Sequence, residues 1–194
     1  AKRLGIEYID TGAMYRAVGL TMLAEGLPME ESPALTKMLA ETEIDFDGGN
    51  VFLDGEIVND RIRTQEVSKA ASDCSALGSV RAKLVELQRK MGQAKSVIMD
   101  GRDIGTNVLT DAEYKYFLTA TAEERARRRH RELLDKGQES SFEEVLEQIV
   151  QRDYNDSNRA LNPLRRADDA EEIDSTGMTV DQVVDYICGK VELK

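Results

Sequence analysis

The hydrophobic positions of this chain follow two periods, one typical of strands and one typical of helices. Short apolar runs with strand character lie at 6–10, 96–100, 114–119 and 172–175. Apolar residues at helical spacing predict helices at 12–25, 31–42, 64–76, 79–91, 123–136, 142–158 and 180–191. Strands that alternate with helices in this way predict an α/β fold with a parallel sheet and right-handed crossovers.

Residues 43–58 break this alternation. Apolar and polar positions alternate there, and two turn signals interrupt them, Asp47-Gly48-Gly49-Asn50 and Asp54-Gly55. The pattern predicts a small antiparallel meander inserted between helices. The sequence contains no repeat, low-complexity tract or linker, so we expect one domain that carries a small lobe.

Local signals predict how the first strand and helix are bounded. Thr11 directly follows the strand and is the expected helix N-cap, and Gly26 is the expected stop. Residues 1–5 resemble the last turn of a helix with a glycine stop. Because the chain also begins without Met, we expect that further sequence precedes it.

Composition narrows the classes of function. The chain has 194 residues, 41% of them hydrophobic, so it can bury a core. Its net charge of −11 argues against a nucleic-acid binder, although a local group of arginines can still attract a small anion. Cys74 and Cys188 show neither metal spacing nor a disulfide framework, which fits a reducing cytoplasm. No apolar run approaches the length of a membrane span, so we expect no membrane partner.

The strand at 96–100 ends in charged residues, in the sequence VIMDGRD. Buried charges are costly unless they are paired or bind a ligand, and ligands of open α/β sheets lie at the carboxyl ends of strands. Asp100 is therefore a candidate to hold a water of a Mg²⁺ shell, and Asp103 a candidate to accept hydrogen bonds from an amino group. The alternative is a simple turn in which Asp100 caps the backbone and Arg102 pairs with Asp103.

Two arginines in the first half of the chain, Arg16 and Arg81, can each be interpreted as a functional or as a structural residue. In DTGAMYR, Thr11 and Arg16 follow a strand and so lie near the carboxyl edge of the sheet. The alternative is an N-capped helix with a surface arginine. Arg81 lies within a predicted helix, where it is either a ligand contact or a solvated surface charge.

Further arginines concentrate on two helices in the second half of the chain. One helix carries Arg125, Arg128 and Arg129, and the next carries Arg152, Asp156 and Arg159 on one side. An acidic chain that concentrates arginines in this way indicates polyanionic ligands such as phosphates. The alternative is a set of ion pairs that stabilise the helices.

Seven segments occur in an order and spacing that point to a family. They are YIDTGAMYRAV, IRTQEV, AASDCSALGSVR, DGRDIGT, EERARRR, RDYNDSNR and PLRRADDA. Together they resemble the bacterial cytidylate kinases over essentially the whole chain. The resemblance implies an α/β, parallel-sheet P-loop nucleoside-monophosphate kinase fold with an inserted small antiparallel β acceptor lobe and a helical lid. It implies a single kinase domain over 1–194, with the core at 1–28, 94–140 and 166–194, the lobe at about 29–93 and the lid at about 150–165.

The resemblance also implies an activity and the residues that support it. The implied enzyme is a cytoplasmic monomer of pyrimidine metabolism that transfers a phosphoryl group from ATP to CMP or dCMP, with Mg²⁺ as cofactor. Catalytic roles are implied for Arg16, Arg129, Arg152 and Arg159. Acceptor-binding roles are implied for Thr11, Tyr15, Arg16, Ser72, Arg81, Arg102, Asp103, Arg152, Asp156 and Arg159. ATP-binding roles are implied for Arg125 and Arg129, and a metal role through water for Asp100.

The three residues implied as cytosine readers suit that base chemically. Asp103 and the Ser72 hydroxyl can accept hydrogen bonds from the cytosine amino group, and Arg81 can donate to ring N3 and O2. Uracil presents a carbonyl where cytosine presents the amino group, and an aspartate repels it.

The sequence departs from the family at the phosphate loop, because no GxxxxGK[ST] match occurs in it. We expect that loop, and the first strand of the sheet, to lie in sequence ahead of the chain. Two other functions remain open at this point. One is a related phosphotransferase with a different acceptor, and the other is a nucleotide-binding module without catalysis.

Overall fold

The structure, a computed structural model, describes residues 1–192 of the chain. It divides into two compact units, the first spanning Ala1–Ile104 and the second beginning at Gly105. A five-residue π-helical turn, Ile104–Val108, which the sequence pattern did not predict, lies at the boundary. No helix in the described part of the chain is long and apolar enough to cross a membrane.

The first unit contains five strands and four helices among its described elements. In chain order they are β1 (Glu7–Asp10), α1 (Thr11–Ala24), α2 (Pro33–Glu41), β2 (Ile44–Asp47), β3 (Asn50–Leu53), β4 (Glu56–Ile57), α3 (Gln65–Cys74), α4 (Gly78–Ala94) and β5 (Val97–Asp100). Strands β1 and β5 pair in parallel, with Asp10 opposite Asp100. Strands β2, β3 and β4 form an antiparallel sheet, which confirms the predicted meander.

The start of the first unit matches part of the local prediction. Lys2–Leu4 form a single 3-10 turn, and Gly5 ends it in the left-handed conformation with φ of 65°. The predicted N-cap of α1 is wrong, because Asp10 occupies that position and its carboxylate accepts from the Ala13 amide. Thr11 is instead the first helical residue, and its hydroxyl bonds to the neighbouring strand.

The core of the first unit forms where α1, α3 and α4 pack beside the small antiparallel sheet. Its largest fully buried apolar side chains are Ile9, Met14, Met22, Leu35, Ile62 and Leu84. Helices α1 and α3 approach closely at Gly19, where an added Cβ would lie 3.0 Å from the Ala71 amide nitrogen and 3.2 Å from the Ala70 Cβ. A glycine in the middle of a helix therefore serves packing here rather than a turn.

Replacing Gly19 with alanine is expected to destabilise the protein by about 1–3 kcal/mol, although alanine is the better helix former, because the added methyl group has no space. Urea denaturation of Gly19→Ala measures this. Ala82→Gly at an exposed position of α4 is the matched control and loses about 1 kcal/mol through helix propensity alone. A Gly19→Ala protein that is more stable than the parent would contradict the close packing of α1 on α3.

The second unit contains two strands and three helices among its described residues. They are β6 (Tyr116–Thr119), α5 (Ala122–Asp135), α6 (Phe142–Asn158), β7 (Glu171–Asp174) and α7 (Val180–Cys188). Strands β6 and β7 pair in parallel, with Thr119 opposite Asp174. Helices α5 and α6 bury Ala126, Leu133 and Val145 between them. The predicted parallel pairing of strands is confirmed, and among the described residues it takes the form of two separate two-stranded sheets.

Candidate active site

The carboxyl ends of β1 and β5 lie side by side in the first unit, as the strand pattern predicted. The Thr11 hydroxyl donates to the backbone carbonyl of Asp100 at 2.6 Å. The Tyr8 hydroxyl donates to Asp100 Oδ1 at 3.0 Å. Two side chains of the neighbouring strand and helix therefore hold the backbone and the carboxylate of Asp100 in place.

Gly101 makes this close approach possible. A Cβ at Gly101 would overlap the Thr11 hydroxyl and would lie 2.8 Å from the Ile104 Cδ1. Any side chain at this position would push Thr11 away from the Asp100 carbonyl. The glycine of DGRD is thus required by the contact between the strand end and α1.

The pKa of the Asp100 carboxyl lies above its ordinary value. The main cause is that the surrounding protein removes water from the carboxyl, and the second is the nearby Asp10 carboxylate. The hydrogen bond from Tyr8 and the charges of Arg102 and Arg16 act in the opposite direction. The Asp100 residue is nevertheless exposed at the end of β5, so its carboxylate is accessible to a ligand.

The geometry around Asp100 bears on the metal prediction. No group of three or more potential metal-ligating side chains occurs among residues 1–192. Because Tyr8 occupies Oδ1, Oδ2 is the oxygen on which a metal-bound water can be held. One carboxylate together with substrate phosphates is an ordinary arrangement for Mg²⁺, so the residues fit a water-mediated role and not a protein cage.

Arg81 and Asp103 form a buried ion pair. Arg81 Nη2 lies 2.5 Å from Asp103 Oδ2, and the two residues are only 3% and 6% exposed. The Arg81 guanidinium also lies 5.8 Å from the centre of the Tyr15 ring and donates to the Ser75 carbonyl. The interpretation of Arg81 as a solvated surface charge is therefore wrong.

The structure does not bring the third implied cytosine reader into this group. Ser72 is exposed on α3, and its described bond is made by its backbone carbonyl, which accepts from the Ser75 hydroxyl. Arg102 is exposed as well. Of the three implied cytosine readers, Arg81 and Asp103 contact each other in the structure.

Arg16 lies at the same end of β1 as Asp100. Its Nη2 is 2.6 Å from Asp10 Oδ2, and its side chain is 23% exposed. The alternative of a surface arginine therefore does not describe Arg16, which is half-buried and held by a carboxylate. The sequence pattern indicated no role for Asp10 or Tyr8, although an Asp directly before a helix is a known N-cap signal that could have identified Asp10.

The arginines of the second unit make the ion pairs that the structural alternative predicted. Arg125 binds both oxygens of Asp153, at 2.9 Å and 2.5 Å. Arg129 donates to Glu132 at 2.9 Å. These pairs leave two of the implied phosphate ligands already engaged with carboxylates of α5 and α6.

The implied lid residues lie at the end of α6 and just beyond it. Arg152 is exposed, and its Nε lies 3.8 Å from Asp156 Oδ2. Arg159 donates from Nε to the Asn162 carbonyl at 2.7 Å. The helical spacing thus places Arg152 and Asp156 on one face, as predicted, while Arg159 is the cap residue where α6 ends.

The segment PLRRADDA lines a cavity of about 390 Å³ in the second unit. Its wall includes Lys115, Arg165, Arg166, Asp168 and Asp169. The Lys115 side chain is nearly buried and bonds to Asp169 and to the Thr110 carbonyl. The resemblance implied a lid role for the part of this segment up to residue 165, and the Lys115–Asp169 ion pair gives the segment a structural role.

Comparison with known proteins identifies the family. The family profile described as Cytidylate kinase matches residues 1–193. The chain is 48% identical over 193 residues to the cytidylate kinase of Clostridioides difficile, a match that covers 100% of this chain and 89% of that protein. It is 49% identical over 187 residues to the cytidylate kinase of Caldanaerobacter subterraneus subsp. tengcongensis, covering 96% and 84%. It is 50% identical over 191 residues to that of Caldicellulosiruptor saccharolyticus, covering 96% and 84%. Since these matches run through every segment on which the sequence resemblance rests, the chain belongs to the cytidylate kinase family.

Proposed function

We propose that this protein transfers the γ-phosphoryl group of ATP to CMP and dCMP, forming CDP and dCDP. The observation that carries this most directly is the buried Arg81–Asp103 pair beside Tyr15. A charged pair buried this deeply is costly to maintain and adds little net stability compared with apolar residues. Recognition of a polar base is a function that justifies that cost.

The pair matches the edge of cytosine. The Asp103 carboxylate can accept from the base amino group as well as from Arg81, and the guanidinium of Arg81 has further donors for N3 and O2. Arg81 Nε is buried without a hydrogen-bond partner among the described residues. A buried unpaired donor is costly, so an acceptor on a bound base would relieve that cost. Tyr15 supplies an aromatic face next to the same guanidinium.

Phosphate binding falls to other arginines in this proposal. Arg16 binds the acceptor phosphate, and Thr11 supports the strand end beside it. In the second unit, Arg152, Asp156 and Arg159 bind sugar and phosphates. For Arg125 and Arg129 to bind ATP, they must exchange Asp153 and Glu132 for phosphate oxygens.

Direct in-line transfer between two nucleotides needs no protein nucleophile. The residues contribute by aligning the two phosphates and by neutralising the charge that spreads over the transferred group. Asp100 would hold a water of Mg²⁺, which when bound neutralises charge on the ATP phosphates. We further propose a cytoplasmic monomer that acts on small molecules, supported by the family resemblance and the cysteine usage.

ADP formation with Mg²⁺-ATP and each of CMP, dCMP, UMP and AMP tests the proposal. We expect turnover with CMP and dCMP and at least about a hundredfold lower kcat/KM with UMP, the size of effect that an unmatched buried polar group produces. Faster turnover with UMP or AMP would support a related phosphotransferase instead. Binding of CMP with no ADP formed from any acceptor would support a nucleotide-binding module without catalysis.

A further inference from the structure

The Asp10 carboxylate makes two contacts at once, and the proposed chemistry uses neither. Its Oδ1 accepts from the Ala13 amide at 3.0 Å and so caps α1. Its Oδ2 accepts from Arg16 Nη2 at 2.6 Å. One carboxylate therefore links the end of β1, the first turn of α1 and the guanidinium that projects from the second turn.

The contact with Asp10 is made by one nitrogen of the Arg16 guanidinium, Nη2. A guanidinium has five N–H donors in a rigid plane, and Asp10 is bound through Nη2. Arg16 Nε is buried and has no hydrogen-bond partner among the described residues. The bond at Nη2 fixes the plane of the guanidinium and so orients its other N–H donors. It also restricts the rotation of a long side chain before any ligand binds.

Gly12 is part of the same arrangement. A Cβ at Gly12 would lie 3.0 Å from Asp10 Oδ1 and 3.1 Å from Arg16 Nη1. The guanidinium therefore lies directly against the backbone at the start of α1, in space that any larger residue would fill. Two independent features, a carboxylate and an open glycine position, place Arg16 in one orientation.

We propose that Asp10 is a positioning residue for the acceptor phosphate, acting through Arg16, an inference that rests on the proposed role of Arg16. Asp10 itself touches no phosphate, since two like charges would repel. Its effect is to hold the guanidinium in the orientation in which the free donors meet a phosphate oxygen. The affinity for phosphate that is gained by orienting Arg16 exceeds the affinity that is lost through repulsion between the Asp10 carboxylate and the phosphate.

Equilibrium binding of CMP and of cytidine tests this inference without turnover. The measurement is calorimetric titration without Mg²⁺ and ATP, so that the donor side does not contribute. In Asp10→Asn the amide oxygen still caps α1 while the charged pair with Arg16 is lost. We expect the Kd for CMP to rise about tenfold and the Kd for cytidine, which has no phosphate, to stay unchanged. Asp10→Ser, which also caps a helix and is too short to hold Arg16, should behave in the same way.

Two reference variants separate the possible outcomes. Ser32→Ala removes the corresponding N-cap of α2, whose hydroxyl accepts from the Leu35 amide, and should lower stability without changing either Kd. Arg16→Met should raise the Kd for CMP at least as much as Asp10→Asn does.

Each contrary result overturns the inference in a recognisable way. If Asp10→Asn binds CMP as well as or more tightly than the parent while Arg16→Met binds it weakly, Asp10 is not a positioning residue and the proposed function stands. If the Kd values for CMP and cytidine rise together in Asp10→Asn, Asp10 is merely structural. If Arg16→Met leaves the Kd for CMP unchanged, the proposed role of Arg16 fails and this inference fails with it.

Discussion

Replacing Arg81 with methionine is expected to abolish CMP phosphorylation and to lower the free energy of unfolding by about 3–5 kcal/mol. Methionine fills most of the volume but removes the positive charge of Arg81 from beside the Asp103 carboxylate, and Asp103 is only 6% exposed. An uncompensated buried charge is among the most destabilising single changes in a protein. Urea denaturation and the ADP-release assay measure the two effects.

The double variant Arg81→Met with Asp103→Leu separates stability from function. Replacing both members of a buried pair by apolar residues is often neutral or stabilising, so most of the lost stability should return. CMP turnover should not return, because no group remains that can pair with the polar edge of cytosine. A double variant that is stable and still prefers CMP to UMP would overturn the assignment of this pair as the base reader.

A single change at Asp103 addresses selectivity. In Asp103→Ala the acceptor for the cytosine amino group is gone, and so is the charge that repels the uracil carbonyl. The ratio of kcat/KM for CMP to that for UMP should therefore fall, by about the factor of ten or more that one charged hydrogen bond supplies. An unchanged ratio would assign the base contact to other residues.

Replacing Asp100 with asparagine is expected to act on stability and on activity in opposite directions. The raised pKa of Asp100 means that the folded protein binds this proton more tightly than the unfolded chain does, so ionisation of Asp100 destabilises the fold. That penalty is absent at pH values below its ordinary pKa of 3.8 and fully present above its raised value. Asparagine cannot ionise and can still accept from Tyr8, so Asp100→Asn should have a slightly higher Tm at pH 7 than the parent, the increase being small because Asp100 is exposed.

The catalytic activity of Asp100→Asn, in contrast, should fall. Asparagine lacks the charge that holds a metal-bound water, so kcat with Mg²⁺-ATP should fall by about a hundredfold while the KM for CMP changes little. Thermal unfolding between pH 4 and pH 8 tests the stability part, since the Tm difference should shrink as the pH falls towards 4. Asp111→Asn, at an exposed position outside the proposed site, is the control for removing one negative charge from a chain of net charge −11. A variant of Asp100 that is both less stable and fully active would contradict the assignment.

The sequence by itself determined the local elements of this protein. The helix predicted at 142–158 has those bounds in the structure, because its Ser141 N-cap and its apolar spacing are signals within the segment. The meander was predictable for the same reason, since its turns are encoded by adjacent Asp, Gly and Asn residues. The placement of Asp100 at a strand end also followed from the apolar run that precedes it.

Only the tertiary structure decided which charged residues are partners. Both Asp10 and Thr11 are good N-caps, and the choice between them depends on the Asp100 carbonyl, 89 residues from Thr11, which takes the threonine hydroxyl. Arg81 is buried because Asp103 lies beside it in space, 22 residues along the chain. Helical spacing reports which side chains share a face but not what covers that face, so the exposure of Ser72 and the burial of Arg81 were not separable from sequence. Burial and pairing of charge depend on neighbours brought together by folding, and for that reason they are properties of the folded chain alone.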